Sequence, residues 1–302
     1  MSQKLVVVLG ATGTQGSAVV TALLKHGGYA IRAITRSPDS PAGSALKAKG
    51  IDVVSANAAD KDSLIKAFQG AYAVFGITIP FTEDNEELQG RNIVDAAKAD
   101  KVPLLIWSSL PSASEVSNGK YTTIYHFDRK SAVDKYISIA GQPTVIIHTG
   151  AFAENLFKFY VLKPDPTNPN KWSIGYPNLR PEVKTSGIWI GGDLGNIVVA
   201  VIDHWENESW RQRLTNEPLI AAPYEISAKE TVDIMTKVTG KEVTYGQTTD
   251  FSETVKAAFS FADDGFYRFP NQSNILKELG VKTHSYEDYV REVVAPYMQS
   301  KQ

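Results

Sequence analysis

Near the amino terminus an apolar, β-branched run, Leu5–Leu9, passes straight into Gly10-Ala11-Thr12-Gly13-Thr14-Gln15-Gly16, and a helical pattern then continues to Lys25. Small residues permit a tight turn there and let backbone N–H groups close on a pyrophosphate. The amino terminus of the following helix adds partial positive charge against the anion. The spacing departs from the commonest glycine fingerprint, but strand, turn and helix stand in the required order. Gly10, Thr12, Gly13, Thr14, Gln15 and Gly16 are therefore candidate dinucleotide contacts.

The same rhythm continues downstream, with short apolar runs at 30–35, 51–55, 72–77, 104–107 and 144–148. Helix-length segments lie between several of them, notably Asp84–Ala99 and Tyr125–Ala140. Strands that are apolar on both faces and alternate with helices predict a parallel sheet covered on both sides. The expected fold is α/β: a Rossmann-type doubly wound parallel sheet over residues 1–150, with a smaller mixed α/β carboxy-terminal lobe over 151–302. After Gly150 the rhythm breaks, at a proline-rich stretch from Pro164 to Pro169, and later helical patterns fall at 228–239 and 286–298. Asp193–Ile202 reads as a helix that returns to the first domain, so the lobes are expected to interleave.

Composition removes several function classes. The 31 basic and 33 acidic residues leave a net charge of -2, so no global basic field collects nucleic acid or anionic lipid. The chain has no cysteine, hence no disulfide, thiolate nucleophile or cysteine metal site. Five scattered histidines and an isolated Asp263-Asp264 pair give no metal cluster, and no nucleophile-elbow sequence marks a serine hydrolase. The amino-terminal segment is too short and wrongly flanked for a signal peptide, and no apolar run approaches the roughly 20 residues of a membrane span. The expectation is a cytoplasmic protein, with the nucleus as an extension, and no membrane or direct nucleic-acid partner.

At the end of the second apolar run, where NAD-specific domains usually place an acid against the ribose, this chain carries Arg36. A guanidinium binds the 2′-phosphate of NADP in a bidentate manner, whereas a carboxylate repels it, so NADP(H) is the expected cofactor. Asn57 and Thr78 follow the third and fourth runs, where ligands collect in open α/β sheets. His126 and Lys130 lie four residues apart, hence on one helical face, and the same stripe continues through apolar Val133, Ile137 and Ala140. An inward lysine can donate to ribose hydroxyls and disfavour a charged imidazole beside it. Tyr125 points about 100° away from that stripe and is set aside. Ser108 and Ser109 end the fifth run, in a place that suits either a catalytic hydroxyl or a local hydrogen bond.

Taken together, Gly-Ala-Thr-Gly-Thr-Gln-Gly, Thr-Arg at 35–36, His-Phe-Asp-Arg-Lys at 126–130 and Ala-Phe-Ala-Glu-Asn at 151–155 resemble the NmrA-like family. That family comprises atypical short-chain dehydrogenase/reductase relatives, including fungal nitrogen regulators and NADP(H) sensors. The likeness is strong to about residue 160 and looser beyond. It implies cofactor contacts at Gly10, Thr12, Thr14, Gln15, Arg36, Thr78 and Lys130, with Phe152 and Asn155 near the nicotinamide. It also places His126 where the wider superfamily has a catalytic tyrosine, and Ser108 near the superfamily serine. The first reading is a redox-responsive regulator that binds NADP(H) and a protein such as a transcription factor. The alternative is an NADPH-dependent reductase of a small carbonyl, quinone or imine, with His126, Lys130 and Ser108 as catalytic candidates. Phe81, Phe152, Phe157, Phe159 and Tyr160 are candidate walls of its substrate cleft.

Overall fold

In the computed structural model, which describes residues 3–80, 84–159, 161–269 and 273–301, the first strand is β1 (Lys4–Val8). Val6 and Val8 enter one apolar cluster and Val7 another, because successive side chains leave a strand on opposite faces. Such a strand needs cover on both sides. The covering helix α1 (Thr14–His26) is followed by β2 (Tyr29–Thr35), α2 (Pro41–Lys47), β3 (Asp52–Ser55), α3 (Lys61–Phe68) and β4 (Ala71–Gly76). Then come α4 (Glu86–Ala99), β5 (Leu104–Ser109), the short α5 (Ala113–Val116), α6 (Tyr125–Ala140) and β6 (Thr144–Thr149).

Past Gly150 run β7 (Ala151–Phe152), α7 (Asn155–Lys158), β8 (Leu162–Pro164), β9 (Lys171–Tyr176) and β10 (Lys184–Ile188). A π-helical turn, Ile190–Leu194, opens α8 (Gly195–His204). After it lie α9 (Glu208–Asn216), β11 (Leu219–Ala221), β12 (Tyr224–Ser227), α10 (Ala228–Thr239), β13 (Glu242–Gln247) and α11 (Glu253–Asp263).

Seven parallel strands form the main sheet in the order β3-β2-β1-β4-β5-β6-β11. This is the expected doubly wound Rossmann arrangement, extended by a seventh strand that sequence reading does not find. The order in which strands are added reverses between β1 and β4, and ligands of open α/β sheets bind outside the carboxyl ends of strands at such a point. α1 and α8 share the cluster under one face of the sheet, while α3, α4 and α6 pack on the other. Gly195 makes the α1–α8 approach feasible: a Cβ there would stand 2.3 Å from the Ala18 carbonyl oxygen.

Beside the main sheet the described residues form two three-stranded sheets, β12-β10-β7 and β13-β9-β8, each with parallel and antiparallel pairs. A further apolar cluster gathers Trp172, Ile174, Met235, Tyr289 and Met298. Among the described residues no helix is long and apolar enough to cross a membrane, and no group of acidic and histidine side chains could hold a metal ion.

Candidate functional site

A continuous cavity of about 890 Å³ opens at the carboxyl ends of β1 to β5 and runs beneath α11, β12 and Tyr286. Gly10, Thr12, Gly13, Thr14 and Gln15 line its first part. Gly10 has φ +59°, a left-handed conformation that favours glycine; a Cβ there would meet only the movable tip of Ile77, Cδ1, at 2.6 Å. Gly13 caps α1 with no side-chain acceptor, which leaves first-turn N–H groups for an anion. The turn therefore fits a pyrophosphate. Gly16 acts differently from the expectation: it does not line the cavity but lies buried against the turn, where a Cβ would stand 2.2 Å from the Gly10 carbonyl oxygen. Its part is to let α1 approach the turn closely.

Arg36 is exposed on the cavity wall beside Thr35, Ser37 and Ser40. Two turns of strand earlier, Arg32 is committed to Asp52 at 2.6 Å. Among the described residues no carboxylate is ion-paired with Arg36, so its planar fork is available for a phosphate. Asn57 lies on the same wall, with its side-chain oxygen accepting from the Ala59 N–H at 3.1 Å. Thr78, Phe152 and Asn155 also line the cavity.

His126 and Lys130 share one face of α6 and both reach the cavity. Burial, then the neighbouring Lys130 charge, pushes the His126 pKa down to about 4, against a smaller opposing effect of Asp128. The ring is thus neutral at ordinary pH. Tyr125 is exposed under the Arg129 guanidinium, 5.4 Å from its ring centroid, consistent with setting that pair aside. Ser108 lines the cavity, and its hydroxyl donates to Gln15 Oε1 at 2.7 Å, which couples β5 to the phosphate turn. Ser109 donates instead to Asp134 at 2.7 Å, and Asp134 also holds Trp107 and His148.

Of the aromatic candidates, Phe152 and Phe159 line the cavity. Phe157 does not; it packs into the carboxy-terminal core against Tyr297, with ring centroids 4.6 Å apart. Its helix, α7, is short, and neighbouring side chains necessarily face different ways. Phe81 and Tyr160 lie outside the described residues. Two residues that sequence reading misses are Glu86, behind Lys130, and Gln89, which accepts from the Ile79 N–H at 3.1 Å. Glu86 reads in sequence as an ordinary first-turn acid of a helix, a position favoured by the dipole alone.

The glycine turn, Arg36 and the histidine–lysine face thus border one cavity, and residues 2–279 match the family model described as the NmrA-like family. The chain belongs to that family. Its relatives include an NmrA-like family domain-containing oxidoreductase of Aspergillus sp., 36% identical over 46% of this chain and 43% of that protein. The chain therefore aligns with under half the length of that relative. An oxidoreductase of the same description from Aspergillus campestris is 29% identical over 81% of this chain and 75% of its own length. A solved structure of an NmrA negative transcriptional regulator in complex with NADP superposes with TM-score 0.82 at 18% identity, covering 100% of this NmrA-like chain and 98% of the other. At that identity the likeness shows the fold.

Proposed function

We propose that this NmrA-like protein is an NADPH-dependent reductase of an uncharged, largely apolar, planar molecule. One observation carries the reading: the cavity does not end at the His126–Lys130 face but continues into an aromatic chamber. Every described lining residue that follows Lys158 in the sequence is uncharged, and Tyr176, Tyr224, Phe251, Phe259 and Tyr267 are among them. Apolar, aromatic walls with a few hydroxyl groups are typical of small-molecule sites. Solved relatives in fold include an NADPH-dependent quinone oxidoreductase complexed with NADPH, which is consistent with this use of the architecture.

In this reading the turn from Gly10 to Gln15 holds the pyrophosphate and Arg36 the 2′-phosphate. Lys130 donates to ribose hydroxyls, with Phe152 and Asn155 beside the nicotinamide. When bound, NADPH supplies a hydride to the substrate's carbon or ring. The substrate heteroatom then takes one proton from solvent. His126, neutral in the working range, presents an N–H to that heteroatom and polarises it without placing a standing charge in the chamber.

The regulator reading shares the nucleotide site and needs no acid at position 126, but it gives the aromatic chamber no occupant. A spectrophotometric screen separates the two. Neutral quinones, aromatic aldehydes and imines should oxidise NADPH in the presence of the protein, and carboxylated or sulfonated analogues of the same rings should not. No oxidation above background by any of them would contradict the reductase.

A further inference from the structure

Behind the Lys130 ammonium stands a carboxylate to which the proposed chemistry gives no part. Glu86 opens α4 with its side chain 2% exposed, and its Oε1 lies 3.1 Å from Lys130 Nζ, whose own side chain is 8% exposed. Thr78 closes the triangle. Lys130 Nζ donates to the Thr78 hydroxyl at 2.6 Å, and that hydroxyl donates to Glu86 Oε1 at 2.8 Å. Thr78 and Lys130 line the cavity, and Glu86 does not. Of the three N–H donors of the ammonium one is held by Thr78, and Glu86 faces the charge as an ion-pair partner, so N–H groups remain for the cavity.

The surroundings make the triangle a fixed unit. Asn85 caps α4 by accepting from the Glu87 and Leu88 N–H groups, and Gln89 ties the same helix to Ile79 just beyond Thr78. A buried ion pair is weak evidence of stabilisation, because desolvation offsets much of the attraction. Orientation is the better account of this one: the lysine is aimed at the cavity from behind and from the side.

We propose that Glu86 is a positioning residue for the cofactor, acting through Lys130 and Thr78 to hold the ammonium with its free N–H groups directed at the ribose hydroxyls. The inference rests on the NADPH site described above. Calorimetric titrations of NADPH and NADH into the wild-type protein, E86Q, E86D, K130M and the double variant E86Q/K130M test it. E86Q should weaken both nucleotides about tenfold, the loss of one charge-assisted hydrogen bond. E86D, which keeps the charge, should regain part of that loss. In the K130M background E86Q should add less than about a twofold change, since residues in one network couple. The preference for NADPH over NADH, set at Arg36, should not move.

Wild-type affinity in E86Q, or the same loss in both backgrounds, would overturn the proposal. If E86Q does not fold, T78V carries the test: it keeps the ion pair and removes the hydroxyl bridge. A loss of a few-fold that vanishes in the K130M background supports the triangle, and no loss or an undiminished one overturns it. Wild-type protein that binds neither nucleotide would overturn the cofactor site itself, a failure distinct from one confined to Glu86.

Discussion

At His126 two causes act in the same direction: burial disfavours the charged ring, and the Lys130 ammonium one turn away repels it. In the unfolded chain such a ring takes its proton near 6.5, and in the folded protein only near 4. Between those values the unfolded state binds more protons, so the stability that His126 contributes is present above about pH 6.5 and lost as pH falls towards 4. The ring carbon shifts in an NMR titration should therefore show no inflection for His126 between pH 6 and 8. K130M should raise the midpoint, and an unchanged midpoint in that variant would mean that Lys130 does not bear on the ring. The pairing of His126 with Lys130 is legible in sequence because both polar residues interrupt an apolar stripe at helical spacing. Glu86 is not, because a first-turn acid after an asparagine cap looks the same whether it faces water or a buried lysine.

Among the elements, close backbone approach sets both the site and the layer beneath it, at two glycines with different consequences. A Cβ on Gly16 would stand 2.2 Å from the Gly10 carbonyl oxygen and 2.8 Å from Ala11 Cα, so Gly16→Ala must displace the phosphate turn. A Cβ on Gly195 would stand 2.3 Å from the Ala18 carbonyl oxygen and 2.7 Å from Ala22 Cβ, at the contact of α1 with α8. Each alanine should lower stability by about 1–3 kcal/mol in urea unfolding, the usual result of forced overpacking. Only Gly16→Ala should also weaken NADPH binding; equal losses of affinity in the two would place the nucleotide elsewhere. The expected helix at 125–140 coincides with α6, whose end is marked locally by Gly141 in the left-handed region, its N–H bonded to the Ile137 carbonyl. β11 escapes sequence reading for the opposite reason: three residues, Leu219–Ala221, carry no periodicity, and only their pairing with β6 makes them a strand.

On the scale of the whole molecule the main sheet and the elements outside it both line the cavity. The main sheet supplies the turn, Arg36 and the His126–Lys130 face, all near the ends of elements that alternate regularly along the sequence. The aromatic chamber is assembled from β9, β12, α11 and Tyr286, which lie far apart in the chain and carry no shared motif, so sequence alone cannot bring them together. That asymmetry explains why the sheet-end side of the cavity is legible in the sequence and the aromatic chamber is not. It also makes the nucleotide site the claim on which the rest depends. Calorimetric titration of NADPH and of NADH into the wild-type protein and Arg36→Ala tests it most directly. The account predicts that the wild-type protein prefers NADPH by at least about tenfold, as a charge-assisted contact to the 2′-phosphate requires, and that Arg36→Ala binds the two alike. Equal binding of the two nucleotides by the wild-type protein, or an undiminished preference in Arg36→Ala, would contradict it.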